Sequence, residues 1–265
     1  MHECLDCGIW YSPASDEQSV DNSTYINILS EDSYLRVSEK RTLDFMAKDG
    51  IHKVLEIGAG FGILARQAKV NYPDIQYNIL EDCKPLQEKL RGYGFHVFQN
   101  PADVPAEFFD LIVAHHVLEH FSDPSQFFKI LHQSGDIGHR VCLAFPNRDN
   151  YLTRRGFYPD LNLPDHRFYY SISEVQKLAS QYDYTVIQKD TIQEGRLIWD
   201  LHSAYYNRLR GSLELFKAVF PGLETELAEF KNDRATVEKI EKEIEELGLG
   251  TEAYLVLEKT NPVRL

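Results

Sequence analysis

The sequence has no apolar run near the ~20 residues that span a bilayer. Its opening, Met1-His2-Glu3-Cys4, has neither the basic start nor the apolar core of a secretion signal. Both absences lead us to expect a cytoplasmic protein with no membrane partner. Basic charge is scarce as well: 28 Lys and Arg against 41 Asp and Glu give a net charge of −13. Binding a nucleic-acid backbone takes clustered Lys and Arg, so nucleic acid is not the expected substrate. There are four cysteines, and apart from Cys4 and Cys7 they stand far apart, as suits a reducing compartment. No internal repeat is present. What remains is a chain of 265 residues, 43% of them hydrophobic, enough for one large core plus a small appendage.

The stretch Lys53-Val-Leu-Glu-Ile-Gly-Ala-Gly-Phe-Gly62 organises that chain. An apolar run, Val54, Leu55 and Ile57, stops at Gly58-Ala59-Gly60-Phe61-Gly62, and a helix-forming segment from Ile63 to Val70 follows at once. Strand, glycine turn and helix in that order bring backbone close to an adenosine-bearing ligand at the carboxyl end of a parallel strand. A dinucleotide fingerprint needs G-x-G-x-x-G. Here the spacing is G-x-G-x-G, with Glu56 two residues ahead of the first glycine. A second strand, Ile75 to Asp82, ends in two acids, with Glu81 about 20 residues past the glycines, the interval of a ribose-binding carboxylate. A cis-diol offers two donors and a carboxylate two acceptors. Taken singly, such a strand-end acid is equally well a solvated one.

A third strand, Phe95 to Phe98, leads into Gln99-Asn-Pro-Ala-Asp103. The fourth, Phe109 to Ala114, runs into His115-His-Val-Leu-Glu-His120-Phe-Ser-Asp-Pro124. The fifth, Arg140 to Phe145, ends at Pro146-Asn147. Together with the glycine motif, these stretches resemble class I S-adenosylmethionine (SAM)-dependent methyltransferases of the small-molecule kind, which act on sugars, natural products or quinones. The resemblance implies an α/β, Rossmann-like, doubly wound fold: a mostly parallel seven-stranded sheet with an antiparallel last strand. It implies SAM as cofactor, with Glu56 near its methionine end and Gly58, Ala59, Gly60 and Gly62 along its amino acid and ribose. Glu81 and Asp82 then reach the ribose hydroxyls, Asn100, Pro101 and Ala102 the adenine, and His115 also lies beside the cofactor. Asn100 departs from the Asp common at that place, although its amide can still donate and accept.

The segment His116-Val-Leu-Glu-His120 also fits H-x-x-E-H, an inverted zinc-protease motif. That chemistry needs the residues on a helix with an open metal position and a distal ligand. Here they issue from a buried strand, and Ser122-Asp-Pro124 opens the next helix, so a protease is not expected. Cys4-Leu-Asp-Cys7-Gly8 is half of a zinc-ribbon pattern. Two thiols do not complete a tetrahedral site, so the chain is expected to be metal-free, with the knuckle packed as an ordinary loop. Arg154 and Arg155 either grip an anionic group of the acceptor or are simply solvated, and the second reading is preferred.

Leu163-Pro-Asp-His166-Arg-Phe-Tyr-Tyr-Ser171 resembles the acid-His-x-x-x-aromatic-Ser element of sugar and quinone methyltransferases. We therefore read His166 as the catalytic base or acceptor-orienting group, supported by Asp165 and His120. An unperturbed imidazole titrates near ~6.5 and can take a proton at neutral pH. The competing reading is a histidine that only holds its loop through a hydrogen bond.

Three parts follow. Residues 1–50 carry the knuckle, a polar linker from Ser12 to Asn27, and an amphipathic helix from Glu31 to Lys48 stopped at Gly50. Residues 51–196 with 251–265 form the SAM-binding domain. It includes a helix capped by Ser171 with Glu174 in the reciprocal position, a sixth strand from Tyr184 to Gln193, and a last strand from Ala253 to Glu258. Residues 197–250 are a helical insertion that opens with His202, Tyr205, Tyr206, Arg208 and Arg210. One apolar stripe holds Leu223, Leu227 and Phe230, another Val237, Ile240, Ile244 and Leu247, and no resemblance covers them. The insertion is expected to cap the acceptor pocket or build a homodimer interface. The expected activity is methyl transfer to an oxygen, nitrogen or activated carbon of a sugar or other secondary metabolite. The rivals are a degenerate SAM-binding protein acting through its insertion and a nucleotide-dependent oxidoreductase, the latter disfavoured by the glycine spacing.

Overall fold

A strand buried on both faces must send alternate side chains into two separate apolar layers. Leu55 and Ile57 fall in one buried cluster with Ile112, Ala114, Leu143 and Phe145. Val54 falls in the other with Leu111, Val113, Cys142 and Ala144. Continuous apolar runs with this split dictate a sheet covered by helices on both sides.

The computed structural model describes residues 2–5, 8–12, 34–48, 50–155, 166–193, 195, 197 and 233–260. Strands in chain order are β1 (His2–Glu3), β2 (Trp10–Tyr11), β3 (Lys53–Ile57), β4 (Gln76–Leu80), β5 (His96–Phe98), β6 (Leu111–His115), β7 (Arg140–Pro146), β8 (Phe168–Tyr169), β9 (Tyr184–Ile192) and β10 (Glu252–Lys259). Helices are α1 (Val37–Met46), α2 (Ile63–Asn71), α3 (Lys84–Gly92), α4 (Pro124–Ser134), α5 (Ile172–Ser180) and α6 (Arg234–Glu246). The seven-stranded sheet runs β5-β4-β3-β6-β7-β10-β9. The pairs β3–β4, β4–β5, β3–β6 and β6–β7 are parallel, whereas β10 is antiparallel to both of its neighbours. This is the expected doubly wound sheet. Its strand order reverses direction between β3 and β6, and such a switch point is where ligands bind in open α/β sheets.

Helix α4 opens as its sequence requires, with Asp123 capping the Ser125 N–H and Pro124 in the first turn. Its Phe127 and Phe128 are fully buried in the first cluster. Burying side chains of that size contributes ~1.5–3 kcal/mol each. Helix α5 has the expected reciprocal cap between Ser171 and Glu174.

Two parts differ from the sequence expectations. The described residues of the amino-terminal knuckle lie in a turn, as read, but unexpected strands flank it: β1 pairs with β2, and β2 pairs antiparallel with β8, a small sheet of its own. The turn between them closes through Cys4 N–H to Ile9 O (2.9 Å) and Gly8 N–H to Cys4 O (2.8 Å), and Ile9 is buried in the main core. Arg148 fastens this sheet to the body. Its Nη1 donates to Gly8 O and to Glu174 Oε1, both at 2.7 Å, and its guanidinium lies 5.2 Å from the Trp10 ring centroid. The second difference is α1, which begins at Val37 rather than near Glu31. Of the expected insertion, α6 is described, and it is anchored where the insertion leaves β9. Glu241 accepts from Gly195 and Leu197 N–H, and Glu245 from Gln193 N–H. The linker from residue 13, Cys7, the stripe of Leu223, Leu227 and Phe230, and the tyrosines and arginines that open the insertion lie outside the described residues.

Candidate active site

The turn after β3 brings three glycines into left-handed backbone, with φ of 68° at Gly58, 54° at Gly60 and 67° at Gly62. Beyond φ, the three differ in what they do. A Cβ on Gly58 would meet Val117 at 2.7 Å and one on Gly62 would meet Leu90 at 2.5 Å, so these two let protein pack on the turn. At Gly60 nothing stands within 4 Å of a Cβ, so the turn opens there onto space that a ligand can fill.

Glu81 follows β4 and faces this turn. Its carboxylate accepts from Gly60 N–H (3.2 Å) and Cys83 N–H (3.1 Å), and its carbonyl accepts from Gln87 Nε2 (2.7 Å). Burial, with Asp82 nearby, pushes its pKa up to about 7, against the lowering effect of the two N–H groups. A buried carboxylate so poised gains from further hydroxyl donors, and a ribose diol supplies two. Asp82 is exposed beside it. Glu56 is buried at the end of β3, accepts from Tyr77 OH at 2.9 Å, and burial raises its pKa to about 8. An open glycine, a ribose-seeking carboxylate and a parallel switch point fit SAM. Ala59 is half-buried against the core, while Asn100, Pro101 and Ala102 are exposed in a short turn where Asn100 Nδ2 donates to Asp103 Oδ2 at 3.1 Å.

His115 and His116 end β6 and part company. His115 Nε2 is 3.1 Å from Thr42 Oγ1 of α1, and burial holds its pKa at about 3, so the ring is neutral. His116 takes φ 54° and turns away. Its Nδ1 lies 3.4 Å from Glu119 Oε1 and its Nε2 lies 3.2 Å from Glu252 Oε1, a residue of β10. Burial pulls His116 down, but the two neighbouring carboxylates outweigh it and hold the pKa at about 9. Its charge in turn outweighs the burial of Glu119 and keeps that carboxyl below the ordinary range.

Glu119 and His120 sit on a 3-10 turn, Leu118–His120, and Glu119 O accepts from Arg167 N–H at 2.8 Å. That bond draws the segment before β8 onto the turn. As a result, the His120 and His166 rings lie 4.8 Å apart and edge-on, although 46 residues separate them. Burial lowers His166 to about 4, which leaves its ring neutral at physiological pH. The structure thus joins His166 with His120, as the sequence suggests, and adds Glu119, His116 and Glu252, which sequence reading did not assign to the site. The H-x-x-E-H spacing was the available signal for the first two. Asp165 lies outside the described residues. Arg154 is exposed, as its solvated reading implies.

Residues 30–189, more than half of the chain, match the family model described as Methyltransferase domain. No curated protein matches the sequence. Among solved structures, the chain resembles a proposed sarcosine dimethylglycine methyltransferase of Galdieria sulphuraria, with TM-score 0.56, 13% identity, and 90% of this chain and 98% of that one covered. An O-methyltransferase from a trans-AT polyketide multienzyme of Brevibacillus brevis, in complex with S-adenosyl-L-homocysteine, gives 0.54, 17%, 84% and 72%. A cyclopropane synthase of Mycobacterium tuberculosis gives 0.53, 17%, 87% and 87%. The likeness of fold, the glycine turn with its facing Glu81, and the domain match agree: this chain belongs to the SAM-dependent methyltransferases.

Proposed function

We propose that the chain methylates a small-molecule acceptor, a sugar or other secondary metabolite, and that His166 and His120 are the groups that receive it. The observation that supports this is the pair of imidazoles 4.8 Å apart beside the buried carboxylate of Glu119, near the carboxyl ends of β6 and β7. When bound, the cofactor supplies an electrophilic methyl group on a sulfonium centre. The chain's own residues then have two tasks, to align the acceptor and to ease the loss of its proton. The turn at Gly60 and the Glu81 carboxylate hold the adenosine side. On the other side, His166 presents neutral nitrogen to a hydroxyl or amine, with His120 and Asp165 in support. Glu119, kept ionised by His116, sets the field in which that proton leaves.

The proposal extends to the rest of the chain. The parts 1–50, 51–196 with 251–265, and 197–250 act as an amino-terminal segment with knuckle and lead-in helix, a SAM domain, and a cap or homodimer interface. Among the described residues no helix is long and apolar enough to cross a membrane, in line with the cytoplasmic setting we propose. The test is calorimetry with SAM and with NAD, followed by release of S-adenosylhomocysteine across a panel of sugar and phenolic acceptors. SAM affinity in the micromolar range, about −8 kcal/mol, together with turnover on one acceptor class supports the reading. Tight SAM binding with no turnover on any acceptor makes the chain a SAM-dependent interaction protein.

A further inference from the structure

Glu119, His120 and His166 each bring a metal-ligand type of atom to within 4.8 Å of the other two. Glu119 is 1% exposed, and neither of its carboxylate oxygens has a hydrogen-bond partner among the described residues. Its cation, His116, stands at 3.4 Å and is shared with Glu252. His166 is 5% exposed, and its Nδ1 is buried with no hydrogen-bond partner among the described residues. Buried polar atoms in folded proteins almost always have partners. Here the Glu119 oxygens and His166 Nδ1 lie close together and, among the described residues, accept no hydrogen bond, an arrangement that an electron-pair acceptor would complete.

We propose that Glu119, His120 and His166 bind a divalent transition-metal ion of the zinc type, leaving at least one coordination position open. Two imidazoles and a carboxylate suit zinc and its first-row neighbours, whereas magnesium and calcium favour all-oxygen sets. Three protein ligands with a vacancy is the arrangement of reactive rather than structural zinc. Both histidine and carboxylate must be deprotonated to ligate, and His116 holds Glu119 from behind, as an outer-shell partner does for a ligand. The motif is used differently from a zinc protease. His116, in left-handed backbone, is committed to two carboxylates. Glu119 therefore becomes a ligand, and His166 arrives from the segment before β8.

This inference rests on the reading that the acceptor lies at this face. The open position would take an acceptor oxygen and lower its pKa, as zinc lowers that of water to ~7. With His166 and His120 then holding the metal instead of taking the proton, the hydroxyl proton goes to solvent. The new O–CH3 bond then forms from the oxygen lone pair as the S–CH3 bond breaks, and its electron pair stays on sulfur, giving the neutral thioether.

Full-length protein stripped with chelator would be titrated with Zn2+, and with Co2+ as a spectroscopic substitute, under equilibrium dialysis with elemental analysis. SAM binding would be followed in the same samples by calorimetry. We expect one metal per chain, d–d bands without sulfur-to-cobalt charge transfer, and no change in Cys4→Ser. Binding should weaken by about tenfold or more in Glu119→Gln and in His166→Ala. Because Glu119 is buried, circular dichroism accompanies each variant, and His120→Ala with His166→Ala carry the test should Glu119→Gln unfold. Absence of metal uptake by the wild type, equal uptake by His166→Ala, or thiolate bands lost in Cys4→Ser would overturn the site. Failure of the protein to bind SAM would instead strike at the methyltransferase reading, which metal uptake does not depend on.

Discussion

The two sides of the switch point are built by different means. The cofactor side is mostly backbone: a glycine turn, main-chain N–H groups and one buried carboxylate, all supplied by β3, β4 and the residues just after them. The face we propose for the acceptor is built from side chains brought from afar, with Glu119 and His120 on a 3-10 turn, His166 before β8 and Glu252 on β10. Backbone geometry admits one ligand and changes little with sequence. A side-chain constellation can be rewritten one residue at a time. Such a division would let a chain match a family of methyltransferase domains over residues 30–189 and still take an acceptor of its own.

The sharpest way to break the contrast is at Gly60. Gly60→Val would place a branched side chain in the open space and in left-handed backbone. We expect SAM binding to fall below detection in calorimetry and turnover to vanish with it. On the other side, His166→Ala should lower kcat by ~10²–10⁴ while the SAM dissociation constant stays within twofold or so. A parallel loss of SAM affinity would mean that the two sides are not separable. Arg148→Ala should act between them. It removes charge-assisted bonds to Glu174 and Gly8 and would lower stability by about 2 kcal/mol in denaturant unfolding. Loosening the small amino-terminal sheet from the body should also cut kcat several-fold, with cofactor affinity unchanged.

The smallest effect is a pH dependence of the cofactor side. Glu81 carries a pKa of about 7, raised by burial, and ribose hydroxyls favour its ionised form. Affinity for SAM should therefore be full above that value and decline as pH falls through it, by at most about tenfold per unit. Binding at neutral pH should release a proton, read from calorimetry in buffers of different ionisation heat. Glu81→Gln should flatten the profile.

What was legible in the sequence follows the same division. The alternation of Val54, Leu55 and Ile57, the glycine turn and Glu81 are local, and their spacing alone implies their geometry. The role of His116 depends on a left-handed residue and on Glu252, 136 positions later, and no local spacing carries that. His115, read as lying beside the cofactor, ends the interior strand β6, and the contact of its Nε2 with Thr42 of α1 depends on tertiary packing. Asn100, read as an adenine contact, stands in an exposed turn where its amide donates to Asp103. The strands that flank the amino-terminal knuckle were not read, because β1, β2 and their partner β8 are each two residues long and recognisable as strands only through the pairing itself.

The placing of β10 between β7 and β9 has a consequence for how the chain is made. Some hundred residues separate β7 from β10, which at ~5–20 residues per second is about 5–20 seconds of synthesis. Throughout that interval β3 to β7 can already form a parallel sheet, while the edge of β7 presents unpaired N–H and C=O groups. The nascent protein is thus an open-edged sheet waiting for its middle strand, a species on which chaperones act. Slowing of the ribosome between Asn147 and Thr251 would lengthen its exposure.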